Sequence, residues 1–244
     1  MVSGCVIYTF FGKVLPERAN VTISQIAYRL IQPDSGIEGD LIVSISLSQV
    51  TARFISGEEV VDLLTLRNYV YDSIRVELDI LGYMNGSGYE LEIIQVADSL
   101  GNPPVIFGID IPVLANQNRS IDFEKVINLF QDNRGNYLRL CLADLREAIR
   151  EPRDTGFFIY RAIETLMQSF RTDDSKKTKE RAWQSLRSEL SVSEEDVRNL
   201  GKVATSFRHG DTRYIGDAEK CELFTIAWNI VDKYIQYACN GYQK

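Results

Sequence analysis

The residues of this chain best suited to chemistry lie in the hexapeptide Phe207-Arg208-His209-Gly210-Asp211-Thr212. His209 is the only histidine among 244 residues, so it is the one side chain whose ordinary pKa favours proton transfer near neutral pH. Arg208 is a permanent cation whose planar donors suit a phosphate. Lys202 precedes His209 by two helical turns and would share its helix face. His209 and Arg208 are therefore catalytic candidates, and Lys202 and Arg213 are candidates for substrate binding.

Arg208-His209-Gly210 has two other interpretations. The tripeptide is similar to the signature of histidine phosphatases and phosphoglycerate mutases. We reject that interpretation because their motif closes the first strand of a long α/β domain and needs a second histidine, whereas here residues 211–244 have the pattern of one helix. The structural interpretation stays open: Gly210 would end a helix in the left-handed conformation, and the two basic residues would complement the negative end of its dipole.

Charge is unevenly spread along the chain, which has a net charge of −7. Residues 150–244 carry 16 Lys and Arg against 15 Asp and Glu, whereas residues 1–149 carry 11 against 19. An acidic balance argues against broad, sequence-independent binding of nucleic acid, because such binding needs many cations to neutralise phosphates. It leaves room for a local basic groove on the second part.

The cysteines indicate no metal site. Cys5, Cys141, Cys221 and Cys239 form no CxxC pair, and a single histidine leaves too few ligands for zinc. We therefore expect no metal, no cofactor and reduced thiols, as in a cytoplasmic protein. No apolar run approaches the length that crosses a bilayer, so we expect no membrane association.

The first part alternates with the period of strands. Segments 6–10, 21–31 and 41–50 predict strands, and in the third Leu41, Val43, Ile45 and Leu47 would share one face. Ser56-Gly-Glu-Glu59 has the spacing of a capping box and predicts a helix over 57–83. Strands are predicted at 89–97 and 104–111. Residues 1–118 are thus expected to form a mixed, β-rich recognition or sensor domain with one long helix.

The second part has the period of helices throughout. Predicted helices cover 120–130, 136–150, 155–171, 177–190, 194–208 and 217–239. Residues 119–244 are therefore expected to form an all-α bundle, which makes the fold class α+β.

The C-terminal part, from about Thr155, resembles the helical HEPN superfamily. The resemblance is carried by Tyr160-Arg-Ala-Ile-Glu164 on an early helix and by a late helix that ends in a basic residue and His-Gly before one long final helix. In that family an Arg, four to six residues and a His form a metal-independent ribonuclease site across a homodimer. Here only Lys202 is basic at the positions where the family arginine stands.

The resemblance implies a HEPN-like protein that dimerises through its C-terminal bundle and cleaves or binds RNA, as bacterial defence or stress effectors do. Two alternatives stay open. One is a non-enzymatic interaction protein in which the bundle only dimerises and His209 is structural. The other is a receptor whose first domain binds a small molecule or a peptide.

Overall fold

The computed structural model describes residues 5–33, 35–108, 111–117, 119, 121–131, 133–173, 175–208 and 215–243; of residues 112, 206–208 and 217 it describes the backbone alone. The chain folds as two compact units, Met1–Gly108 and Ile109–Lys244. The predicted α+β class is confirmed, because the first unit is built on an antiparallel sheet with one helix and the second is helical.

The first unit is an antiparallel sheet covered on one face by a helix. The strand order is β2-β3-β4-β1-β5-β6, and the helix α1 packs on the sheet with Leu66, Val70 and Ile74 buried. Side chains alternate between core and solvent along each central strand, as the period-two pattern requires. The elements are β1 Val6–Leu15, β2 Ile23–Gln32, β3 Ile37–Ser46, β4 Gln49–Ser56, α1 Leu63–Asn85, β5 Glu90–Asp98 and β6 Val105–Ile106.

The predicted strand 41–50 is wrong, because β3 and β4 are two strands joined at Leu47-Ser48. Both turn residues have positive φ, 48° and 67°, a conformation usually taken by Asn or Gly. Leu47 therefore leaves the face of Leu41 and stands 65% exposed in the turn.

The predicted helix start at Ser56 is also wrong. Ser56 is the last residue of β4, paired with Gly39 and Val6, so it cannot cap a helix. The helix begins after Asp62, whose carboxylate accepts a hydrogen bond from Thr65 N at 2.9 Å. The predicted strand 104–111 is shorter than expected, since β6 covers two residues and residues 109–110 lie outside the described part.

The second unit is a bundle in which one helix, α5, packs against four others. Ile159, Ile163 and Leu166 of α5 are fully buried at its centre. The helices are α2 Pro112–Ala115, α3 Phe123–Leu129, α4 Gly135–Arg150, α5 Thr155–Gln168, α6 Lys176–Leu190, α7 Glu194–Arg208 and α8 Asp217–Cys239. Helices α4 to α8 lie where the apolar period predicted them, and the short α2 had no such signal.

Candidate functional site

Only part of the predicted site is described. His209 and Arg213 lie outside the described residues, and Arg208 is described only as the last backbone position of α7. Lys202 is an exposed residue of α7. The roles of all four residues remain predictions.

The solvent face of α7 carries two cations on the side that continues toward its C-terminal end. Arg198, Lys202 and Thr205 are exposed and follow one another at four and three residues, so they form one stripe. Neither cation forms an ion pair within the part of the chain that the structure describes. Arg198 was not among the predicted site residues, although its four-residue spacing from Lys202 was a signal for it.

The described residues on either side of the segment that contains His209 pack in the bundle. Ala204 in α7 and Ile215 just before α8 are buried. A Cβ built on Gly156 would lie 2.6 Å from Val203 Cγ1 and 3.3 Å from Ile215 Cδ1. Val203 of α7 and Ile215 before α8 therefore both lie beside the first turn of α5.

The polar residues of the Tyr160–Glu164 motif tie helices together. Arg161 donates a hydrogen bond to the largely buried Asp144 of α4, a contact that raises the pKa of the guanidinium. Its Cζ also lies 4.9 Å from the ring centre of Phe158, within the range of a cation–π contact. Glu164, whose side chain is 18% exposed, accepts a hydrogen bond from Lys179 Nζ of α6 at 2.6 Å.

A second basic surface lies on α4 and was not found from the sequence. A groove of about 410 Å³ runs along this helix and is lined by two arginines, one aromatic ring and small or branched apolar side chains. The apolar period of α4 predicts its buried face and gives no signal for a binding surface on its exposed positions. The lining residues are Phe130, Arg139, Leu140, Leu142, Ala143 and Arg146.

The first unit holds a smaller cavity of about 270 Å³ beside Tyr8, Glu59 and Asp98. Two of its polar side chains, Tyr8 and Asp98, already form hydrogen bonds within the unit. The Tyr8 hydroxyl accepts a hydrogen bond from Val60 N at 2.7 Å. Hydrogen bonds from the Asn102 side chain and from backbone amides lower the pKa of Asp98.

Metal-ligand clusters and membrane-spanning helices are both absent from the residues that the structure describes. No three His, Cys, Asp or Glu side chains of the described ranges gather in a way that would hold a metal ion. None of the helices, over the same residues, has both the length and the hydropathy of a membrane span.

Comparison with known families places both units in one family. Residues 8–107 match the N-terminal domain and residues 123–239 the C-terminal domain of a family described as a domain of unknown function, DUF8168. The chain thus carries both domains of the DUF8168 family, in order. No curated protein matches the chain, and no solved structure matches it.

Proposed function

We propose that this chain is a HEPN-like protein whose helical unit acts on RNA, as a metal-independent endoribonuclease or an RNA-binding effector of bacterial defence or stress type. One observation carries the proposal. The connection with the only histidine is anchored at Val203 and Ile215 beside the start of α5, next to an exposed stripe that holds Lys202. The resemblance also implies a late helix that ends in a basic residue and His-Gly before one long final helix, and α7 and α8 follow each other in this order.

In the proposed reaction the ribose 2′-hydroxyl attacks the adjacent phosphate. A bond forms between the 2′-oxygen and phosphorus, the bond to the 5′-oxygen breaks, and a cyclic phosphate is left. The His209 imidazole would accept the proton of the attacking hydroxyl or donate one to the leaving oxygen. Arg208, Lys202 and Arg213 would offset the negative charge that grows on the phosphate. A homodimer would bring two imidazoles to the site, one for each proton transfer.

The test is cleavage of single-stranded RNA in the presence of EDTA. We expect the purified chain to cut RNA and His209→Ala and Arg208→Ala each to reduce the rate at least about 100-fold. Arg181→Ala removes an exposed cation of α6 and serves as the matched control, with an unchanged rate expected. Light scattering on all variants checks that the expected dimer is retained.

The non-enzymatic alternative is favoured by the ion pairs of α5. Arg161 and Glu164 are the charged residues of the quoted motif, and both hold neighbouring helices through Asp144 and Lys179. In this alternative the helical unit only dimerises. Intact RNA after incubation with a folded, dimeric protein would refute the nuclease and favour this alternative or the receptor alternative.

A further inference from the structure

The solvent face of α4 has an unusual composition for an acidic chain. Its exposed positions hold three arginines, two leucines and one asparagine, with no carboxylate. The chain as a whole has seven more acidic than basic residues, so a face of this kind concentrates positive charge locally. The exposed residues are Asn136, Arg139, Leu140, Leu142, Arg146 and Arg150.

The two arginines of the groove are accessible to an anion. Arg139 and Arg146 are two helical turns apart, about 10 Å along the axis. Arg139 forms no ion pair with any residue that the structure describes. Arg146 donates to Glu147 Oε1 from both Nε and Nη2, at 2.9 and 2.8 Å, but its side chain stays 64% exposed, and exposed ion pairs contribute little free energy. A phosphate can therefore compete for both guanidinium groups.

The apolar part of the groove suits a flat ring better than a lipid chain. Leu140 and Leu142, which are 49% and 37% exposed, line the groove together with the two arginines. Phe130 adds an aromatic ring to the lining. Nucleic-acid bases stack on aromatic rings and on guanidinium planes, whereas helices that enter a membrane present a wide, protruding apolar face.

We propose that the α4 groove binds single-stranded RNA, with Arg139 and Arg146 on phosphates and a base against Phe130 and Leu142. This inference rests on the proposed function and names a binding surface for its substrate on a helix that carries none of the predicted site residues. The positive charge of the groove lining complements the phosphates of RNA, because the lining has two guanidinium groups and no carboxylate.

The experiment measures binding of a fluorescent single-stranded RNA of mixed sequence to full-length His209→Ala protein, which leaves the RNA intact. We expect Arg139→Ala with Arg146→Ala to weaken binding about tenfold or more. The slope of log K against log salt should become shallower by about 1.4, since each lost phosphate contact removes about 0.7. Lys176→Ala with Arg181→Ala removes two exposed cations from α6 and should leave binding unchanged.

Phe130→Leu tests the base contact separately. It keeps apolar volume in the partly buried site but removes the π face, so we expect weaker binding by about fivefold or more with an unchanged salt slope. Circular dichroism of each variant confirms that the helices are intact.

The outcomes distinguish failure of the α4 groove proposal from failure of the nuclease proposal. Cleavage by the wild-type chain with the same KM in the Arg139/Arg146 variant would overturn the groove and keep the nuclease. RNA binding that requires the arginines, without any cleavage, would keep the groove and overturn the nuclease. The groove is also overturned if the chain binds no RNA, or if it binds phosphatidylserine vesicles through these arginines instead.

Discussion

Ser48 holds the β3–β4 turn from inside the first unit. Its hydroxyl accepts a hydrogen bond from Val21 N at 3.0 Å and donates one to Glu17 O at 3.3 Å. Its backbone N–H donates to Val21 O at 2.7 Å, and its carbonyl accepts from Val14 N at 2.8 Å. One fully buried residue thus joins three segments, which explains why the turn tolerates positive φ without Asn or Gly.

We expect Ser48→Ala to lower the free energy of unfolding by about 1–3 kcal/mol, because Val21 N–H loses its partner in a buried position. Ser46→Ala changes an exposed serine two residues earlier and serves as the control. Urea unfolding followed by circular dichroism measures both. Equal effects of the two changes would show that the hydroxyl contacts do not stabilise the turn.

Glu77 is a largely buried carboxyl group on α1. Tyr28 of β2 donates a hydrogen bond to one of its oxygens, while Oε2 finds no partner among the residues described. Burial raises the pKa of Glu77, and the hydrogen bond from Tyr28 lowers it by a smaller amount. Because the folded chain holds this proton to higher pH than the unfolded chain, the group reduces stability as the pH rises above the ordinary glutamate pKa.

Glu77→Gln should remove this pH-dependent cost. We expect the variant to be more stable than the wild type near pH 7, by on the order of 1 kcal/mol, and the difference to shrink toward pH 4, where the wild-type carboxyl is protonated. Urea unfolding at both values measures it, with the exposed Glu58→Gln as control. A variant that is less stable than the wild type at both pH values would contradict this account.

At the scale of elements, Gly156 sets the approach of α5 to α7. Val203 is β-branched and stiff at χ1, so it cannot turn away from an added methyl group that would lie 2.6 Å from its Cγ1. The added methyl group would therefore push α5 and α7 apart. The contact between Gly156 and Val203 also lies shortly before the segment that carries His209.

Gly156→Ala is therefore expected to lower the free energy of unfolding of the helical unit by about 1–3 kcal/mol. Both tryptophans, Trp183 and Trp228, belong to this unit, so their fluorescence follows its unfolding alone. Ser185→Ala changes an exposed residue of α6 in the same unit and is the control. If the Gly156→Ala variant and the wild type unfold at the same urea concentration, Val203 accommodates the methyl group without loss of folding free energy.

The sequence was informative where one period continues over many residues. Helices α4 to α8 were predicted because their apolar residues recur over three or more turns. The β3–β4 turn was missed because Leu47 and Ser48 lack turn chemistry and are stabilised by distant residues such as Val21. The α4 groove was missed for a related reason, since a sequence pattern identifies a buried face more readily than what a solvent face can bind. The ion pairs of Arg161 and Glu164 depend on which helices become neighbours, and spacing alone does not give that.

At the scale of the whole molecule, the negative charge belongs to one unit. Residues 1–108 hold 6 Lys and Arg against 13 Asp and Glu, whereas residues 109–244 hold 21 of each. A polyanion is therefore repelled by the first unit and meets a neutral second unit whose cations are locally grouped. Recognition of RNA, in the proposal above, is therefore a property of the second unit alone.

Helix α4 also contains a chemical probe of its own docking. Cys141 is fully inaccessible on the side of α4 that faces the bundle, and burial raises the pKa of its thiol well above the ordinary range. Alkylating reagents attack thiolates, so they modify this position only in molecules whose α4 has detached. The rate at which Cys141 is alkylated, compared with that of exposed Cys239, thus measures how often α4 detaches from the bundle. A ligand that holds α4 against the bundle would lower the alkylation rate of Cys141.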